Sequence, residues 1–189
     1  NGRTLDKIAS KKVGEEFNVQ PTVFSTDGST ARVALVDQNG RIIYVALESG
    51  NDVRVRWEFS TGTRPAAPLT VAPVCKKGIA DFAGTTADGR IALISEPDGH
   101  GELVLVQQNA VFSQSPLLYD VDGDGRCEVF AISDTGQLFA MSYDENAAPR
   151  LRKLWTAGLT NQPVGAPMLI TKGTAGASPL IVQLMESSL

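Results

Sequence analysis

Histidine and cysteine are nearly absent from this chain, at one and two of its 189 residues. With His100 as the single imidazole, a multi-histidine metal centre or a Ser-His-Asp arrangement has almost nothing to draw on. Cys75 and Cys127 make neither a C-x-x-C motif nor a zinc-ligand spacing. They are either one cross-unit disulfide or two buried thiols, and they leave the redox compartment open. No apolar run approaches the roughly 20 residues that a membrane-spanning helix needs, so no membrane insertion is expected. An excess of basic charge is also missing. Seventeen Lys and Arg stand against twenty-one Asp and Glu, for a net charge of −4, and the basic residues are scattered. That argues against a nucleic-acid partner. The first residues, NGRTLDKIAS, contain no Met and no signal-peptide pattern, and the chain is read as a piece of a longer or processed protein. Sustained 3.6-residue periodicity free of Gly and Pro is lacking too, which argues against helices.

What is present is a chain that is 42% hydrophobic, enough for a substantial core, with a repeat. Four segments place a polar residue and a glycine ahead of an apolar run: NGRTLDKIAS (1–10), QNGRIIYVAL (38–47), ADGRIALISE (87–96) and DTGQLFAMSY (134–143). Their glycines, Gly2, Gly40, Gly89 and Gly136, are 38, 49 and 47 positions apart. These intervals fall near the roughly 40 to 50 residues of a four-stranded propeller blade. Each segment is followed by a second apolar run. In VRVRWEFSTG, Val53, Val55, Trp57 and Phe59 alternate with Arg54, Arg56 and Glu58, which predicts a half-buried outer strand. A strand opened by proline comes next (VQPTVF, AAPLTVA, QSPLLYD, GAPMLIT), where proline costs no ladder hydrogen bond. A fourth run closes each unit: ARVALVD, IADFAGT, CEVFAIS and PLIVQLM.

Labelled a to d in unit order, the chain reads c-d, three full a-b-c-d units, then a-b. The expected architecture is therefore all-β: a single propeller domain over 1–189 with blades at about 19–62, 66–110 and 114–159, and a shared blade from 165–189 plus 1–18. An alternative is half of a larger ring, completed by a second copy as a homodimer.

The stretch DVDGDGRCE (120–128) concentrates carboxylates between two apolar runs. Asp120, Asp122 and Asp124 fall at loop positions 1, 3 and 5, Gly123 and Gly125 permit sharp turns, and the backbone carbonyl of Arg126 falls at position 7. Calcium takes six to eight hard oxygen ligands, and alternating Asp residues on a tight loop converge on one point. The competing reading is a solvated Asp-Gly turn. The equivalent loops STDGSTAR, APVCKKGIA and TKGTAGAS lack the three carboxylates, and only Asp27 remains as a weak ion-site candidate. His100 is expected in an exposed c-d turn. Trp57 and Trp155 are expected to pack blades together.

These residues carry a family resemblance. GRIIYVALESGNDVRVRWEFSTG (40–62) resembles the PQQ-like repeat of quinoprotein-type β-propellers, and GQLFAMSYDENAAPRLRKLWTAG (136–158) repeats it with Trp155 in place of Trp57. PLLYDVDGDGRCEVFAIS (116–133) is similar to the FG-GAP propeller repeat, whose calcium loop ends in an acidic residue matched here by Glu128. The resemblance implies Ca²⁺ held by Asp120, Asp122, Asp124, the Arg126 carbonyl and Glu128. It also implies an extracytoplasmic scaffold that presents loops to a protein or glycan partner. Enzymes of the family carry adjacent cysteines and an Asp, Glu and Asn set beside the quinone. This chain has no Cys-Cys pair and no matching set, so no catalytic residue is assigned and PQQ is not expected. A fragment of a PQQ-dependent oxidoreductase is the enzyme alternative.

Overall fold

A computed structural model describes residues 12–13, 16–17, 19–25, 31–48, 52–159, 163 and 165, together with the backbone of 168–170 and 180–182. The described elements are all β-strands, taken in chain order. The first sheet runs β1 (Thr22–Phe24), β2 (Arg32–Val36), β3 (Arg41–Leu47) and β4 (Val53–Ser60). The second runs β5 (Thr70–Ala72), β6 (Asp81–Thr85), β7 (Arg90–Ser95) and β8 (Gly101–Leu105). The third runs β9 (Leu117–Tyr119), β10 (Glu128–Ile132), β11 (Gln137–Tyr143) and β12 (Leu151–Gly158). Each is an antiparallel meander with strands paired in chain order, as the a-b-c-d reading predicts. The predicted fourth a-b pair is present as β13 (Met168–Ile170) and β14 (Leu180–Val182). The N-terminal c run (1–10) and the loop holding Asp27 lie outside the described residues, while the described part of the following d run meets the first unit, with Phe17 bridged to Asp37 and the Glu16 carbonyl accepting Gln38 N at 2.8 Å. Among the described residues no helix is long and apolar enough to cross a membrane.

The core lies between the sheets. Strands b and c are the most buried because both faces of a sheet stacked between neighbours are covered: every residue of β6 is buried, and β3 is buried from Ile42 to Ala46. Phe82 on β6 fills the space between the first two sheets, with ring centroids 5.1 Å from Phe24, 5.7 Å from Tyr44 and 5.5 Å from Trp57. The Trp57 indole N–H donates to the Glu96 carbonyl at 2.7 Å, fixing the outer strand of the first unit to the second. A second cluster joins the next pair of units through Phe112, Phe139, Val129 and Leu93. Outer strand β4 alternates half-buried and exposed residues as its sequence predicts. Its counterpart β12 does not, being exposed from Arg152 to Gly158, and Trp155 stays 45% exposed with its ring 6.2 Å from Phe130. In both strands the tryptophan borders a register shift, at Tyr44/Val45 and at Ala140/Met141, whereas the β7–β8 ladder runs without one. The extra residue locally re-aims the side chains.

The b-to-c turn repeats at atomic level. In each unit a buried polar residue, Asp37, Thr86 or Ser133, follows the last residue of strand b, and its side-chain oxygen accepts the backbone N–H of the residue that opens strand c. Those bonds are 2.9 Å from Arg41, 3.2 Å from Arg90 and 3.1 Å from Gln137. The glycine three residues on, Gly40, Gly89 or Gly136, takes φ of +77°, +83° or +79°, a backbone region open to glycine at little cost. Its carbonyl then accepts the N–H of Thr61, Val106 or Leu159 just beyond strand d. Asp37 also pairs with the Arg41 guanidinium at 3.1 Å. The N–H groups of Arg41 and Asn39 and that guanidinium hold its carboxyl below the usual range despite burial. Thr86→Val keeps the shape but leaves the Arg90 N–H unpaired, and is expected to cost about 1–2 kcal/mol. A lowered urea midpoint at unchanged slope would show it, and an unchanged midpoint would mean the bond adds nothing.

Candidate metal loop and the end of the fold it occupies

The sequence from Asp120 to Cys127 forms the a-to-b loop of the third unit, between β9 and β10. The chain folds it through side chain to backbone bonds. Asp120 Oδ1 accepts from Gly123 N at 2.7 Å and its Oδ2 from Gly125 N at 2.8 Å. Asp122 accepts from Asp124 N at 3.1 Å, and Asp124 from Arg126 N at 2.7 Å. Such Asx bonds let short polar side chains replace a regular ladder. Together they bring one carboxylate oxygen each of Asp120, Asp122 and Asp124 within 4.8 Å of one another. A calcium ion bound at about 2.3–2.6 Å to each ligand spaces its oxygens by up to about 4.6–5.2 Å, so these hard oxygen donors suit that ion.

The other two predicted ligands sit differently. Glu128 opens β10, and its carboxylate accepts from Val121 N at 2.9 Å. Its pKa is raised by burial and then by the neighbouring charges of Asp122 and Asp120. The Arg126 guanidinium pairs with Asp124 at 2.8 Å, and the Arg126 backbone N–H, followed by that guanidinium, holds the Asp124 carboxyl below the ordinary range. A small cleft of about 70 Å³ runs from these residues to Val74, Cys127 and Tyr143.

The corresponding loop of the second unit, residues 73–80, has the same length as 120–127. Asp81 opens β6 as Glu128 opens β10, and its Oδ2 accepts Val74 N at 2.8 Å and Cys75 N at 2.7 Å. Gly78 and Gly125 both take positive φ, +75° and +89°. Aligned in this way, Pro73, Cys75 and Lys77 stand where the third unit has Asp120, Asp122 and Asp124. The two loops also touch. Cys127 N donates to Pro73 O at 2.5 Å. The Lys77 side chain crosses Gly125 so closely that an added Cβ would meet its Cδ at 2.6 Å. Lys77 therefore brings a cation to the Asp124 end of the acidic loop.

The sequence reading named neither loop clamp nor turn cap. The signal for them was a polar residue at fixed distance from a repeat glycine or at the first position of strand b. Cys75 and Cys127 are free thiols packed against one core cluster. Burial, then the adjacent Asp81 charge, pushes the Cys75 thiol up to about 12, so it is inert as a nucleophile at neutral pH. His100 is exposed as predicted, 3.0 Å from Asp98.

The same end of the fold holds a cavity of about 320 Å³ between the second and third units, reached past the c-d turns. A cleft of about 380 Å³ lies between the first and second units. In that cleft Glu96 accepts the Arg32 guanidinium at 2.9 Å and the Tyr44 hydroxyl.

Against known proteins, no family model matches and no curated protein matches. Solved structures do. The Pseudomonas aeruginosa PilY1 C-terminal domain aligns at TM-score 0.57 and 17% identity, over 88% of this chain and 43% of that one. BBS1N, solved in complex with ARL6DN, aligns at 0.55 and 14%, over 81% and 44%. A europium-containing methanol dehydrogenase aligns at 0.53 and 16%, over 76% and 25%. The chain thus spans less than half the length of these proteins. At such identities the likeness shows the fold: consecutive four-stranded antiparallel units joined as in these neighbours make this chain part of a β-propeller.

Proposed function

We propose that this chain is a non-enzymatic β-propeller scaffold and binding module with a structural calcium loop, working in an extracytoplasmic, calcium-replete setting. The observation that carries the reading is the convergence of Asp120, Asp122 and Asp124 within 4.8 Å. The Arg126 carbonyl and the Glu128 carboxylate complete the proposed ligand set. An ion there would draw the residues of one loop to a point and stiffen the segment that touches the second unit through Pro73 and Lys77. Its role would be to hold blades in register, because its ligands belong to a loop that packs against the second unit. The partner, a protein or a glycan, would meet the loops of the a-b and c-d end, where the acidic loop and both interblade cavities lie.

Calorimetric titration of Ca²⁺ into chelator-treated protein tests this, beside the Asp122→Ala/Asp124→Ala variant. We expect one site, lost in the variant, and a stabilisation of about 2.7 kcal/mol at a free ion concentration 100 times Kd. At this chain length that is a rise of roughly 5–11 °C in Tm. An absence of both heat and stabilisation in the unmutated chain would reduce the loop to an acidic turn.

A further inference from the structure

We infer that the cavity between the second and third units is a binding site for a carboxylate carried on a small apolar group, such as the end of a peptide. This deepens and rests on the binding-module reading, since it names the chemistry one part of that surface would recognise. The argument begins with the charges at the cavity. Asp98 is engaged by His100, whose N–H donates to its Oδ1 at 3.0 Å and whose Nδ1 lies 3.0 Å from its Oδ2. Glu102 accepts two backbone N–H groups, from Arg150 at 3.2 Å and from Leu151 at 2.7 Å, and so clamps the start of β12 to β8. Arg150 remains. Among the described residues no carboxylate lies within ion-pair distance of its guanidinium, which borders the cavity beside the Tyr143 hydroxyl.

The neighbouring cleft holds the same three groups in a different arrangement, with the chain supplying its own anion. There Glu96, which follows the last residue of β7, enters from the second unit and takes the Arg32 guanidinium and the Tyr44 hydroxyl together. Counted from the turn glycines, Tyr143 of the third unit stands where Glu96 stands in the second, and Asp144 beyond it pairs with Arg152 at 3.2 Å, so the cavity presents a guanidinium and a phenol with no carboxylate from that position. Arginine's planar fork suits a carboxylate in particular. The rest of the wall favours an apolar companion. Leu93, the Gly101 backbone, the Cys75 thiol and the Tyr143 ring form an uncharged surface. The volume of about 320 Å³ lies at the small end of ligand sites. Capture of a peptide's terminal carboxylate is a recurrent recognition mode, and a leucine-sized residue fits this space.

The test is a titration of the ¹⁵N-labelled chain, kept in calcium, with N-acetyl-L-leucine, and separately with N-acetyl-L-leucinamide, which lacks the charge. We expect saturable shifts of the Ser95, Gly101 and Arg150 amides with the acid and none with the amide. Arg150→Gln should weaken binding about tenfold or more, and Arg150→Lys, which keeps the charge without the fork, by less. Arg150 is exposed, so an otherwise unchanged spectrum will show that each variant is folded. Absence of saturable shifts, equal response to the amide, or an affinity unchanged in Arg150→Gln would each overturn the assignment. A chain that binds calcium but not N-acetyl-leucine would sink this inference alone, and one that fails the calcium titration would sink the other.

Discussion

Replacing Phe82 with alanine is expected to remove about 3–5 kcal/mol of stability, a large share of what a domain of this size possesses. The ring is fully buried and is shared by two units: Phe24, Tyr44 and Trp57 come from the first sheet and Phe82 from the second. Truncation forfeits the transfer energy of the ring and leaves a hole, because β6 is buried along its whole length and its neighbours cannot collapse onto a strand held on both sides. Phe82→Leu retains part of the volume and should cost roughly half as much. Urea unfolding followed by Trp57 emission in a Trp155→Phe background would measure both. A loss below about 1 kcal/mol for the alanine variant would mean that the aromatic cluster is not what joins the two units.

Asp81 should discriminate sharply between alanine and asparagine. Its Oδ2 caps the N–H groups of Val74 and Cys75, while its Oδ1 is buried without a hydrogen-bond partner. Asp81→Ala strands two donors beneath the loop and is expected to cost about 2–4 kcal/mol. Asp81→Asn keeps the accepting oxygen and removes the buried charge. The pH dependence follows from the sign of the shift: burial raises the Asp81 pKa above its ordinary 3.8, against the lowering pull of the Cys75 and Val74 N–H groups. The neutral form is thus favoured in the fold. The associated stability is fully present below pH 3.8 and is lost as pH rises through the raised folded value. Asp37, Asp98, Asp124 and Asp144 are shifted down and act in the opposite sense, so the wild type alone will not show the effect. The measurable quantity is the stability of wild type minus that of Asp81→Asn. It should fall as pH increases from 4 toward neutrality, and a difference that stays flat or rises would contradict the assignment.

Strand order was legible because glycine, proline and alternation mark the same four boundaries in every unit. The turn glycines at 40, 89 and 136 and the prolines at 68 and 116 bracket strands found where the pattern puts them. What packs against each strand was harder to read. Trp57 and Trp155 occupy the same place in the repeat, yet Trp57 is sealed by Phe82 and the Glu96 carbonyl, and Trp155 remains 45% exposed. Equal sequence positions do not imply equal surroundings, since an outer strand is covered by residues of the next unit. Asp37, Thr86 and Ser133 escaped notice because a carboxylate and two hydroxyls share no residue type, only the ability to accept one N–H. Asp120, Asp122 and Asp124 were legible because their alternation is itself the geometry: each bends the chain toward the next. The clamping bond that the Val121 N–H donates to Glu128 was hidden behind the resemblance of Glu128 to a ligand.

The loops at 73–80 and 120–127 join corresponding strands with the same number of residues. Both are closed by an acidic residue and turned by a glycine at aligned positions, 78 and 125, while the third unit adds a second positive-φ turn at Gly123; one carries carboxylates and the other a proline, a thiol and an ammonium. Charge at this rim can therefore be rewritten three side chains at a time with no change in chain length, so that neighbouring blades with the same frame offer opposite signs to whatever approaches them.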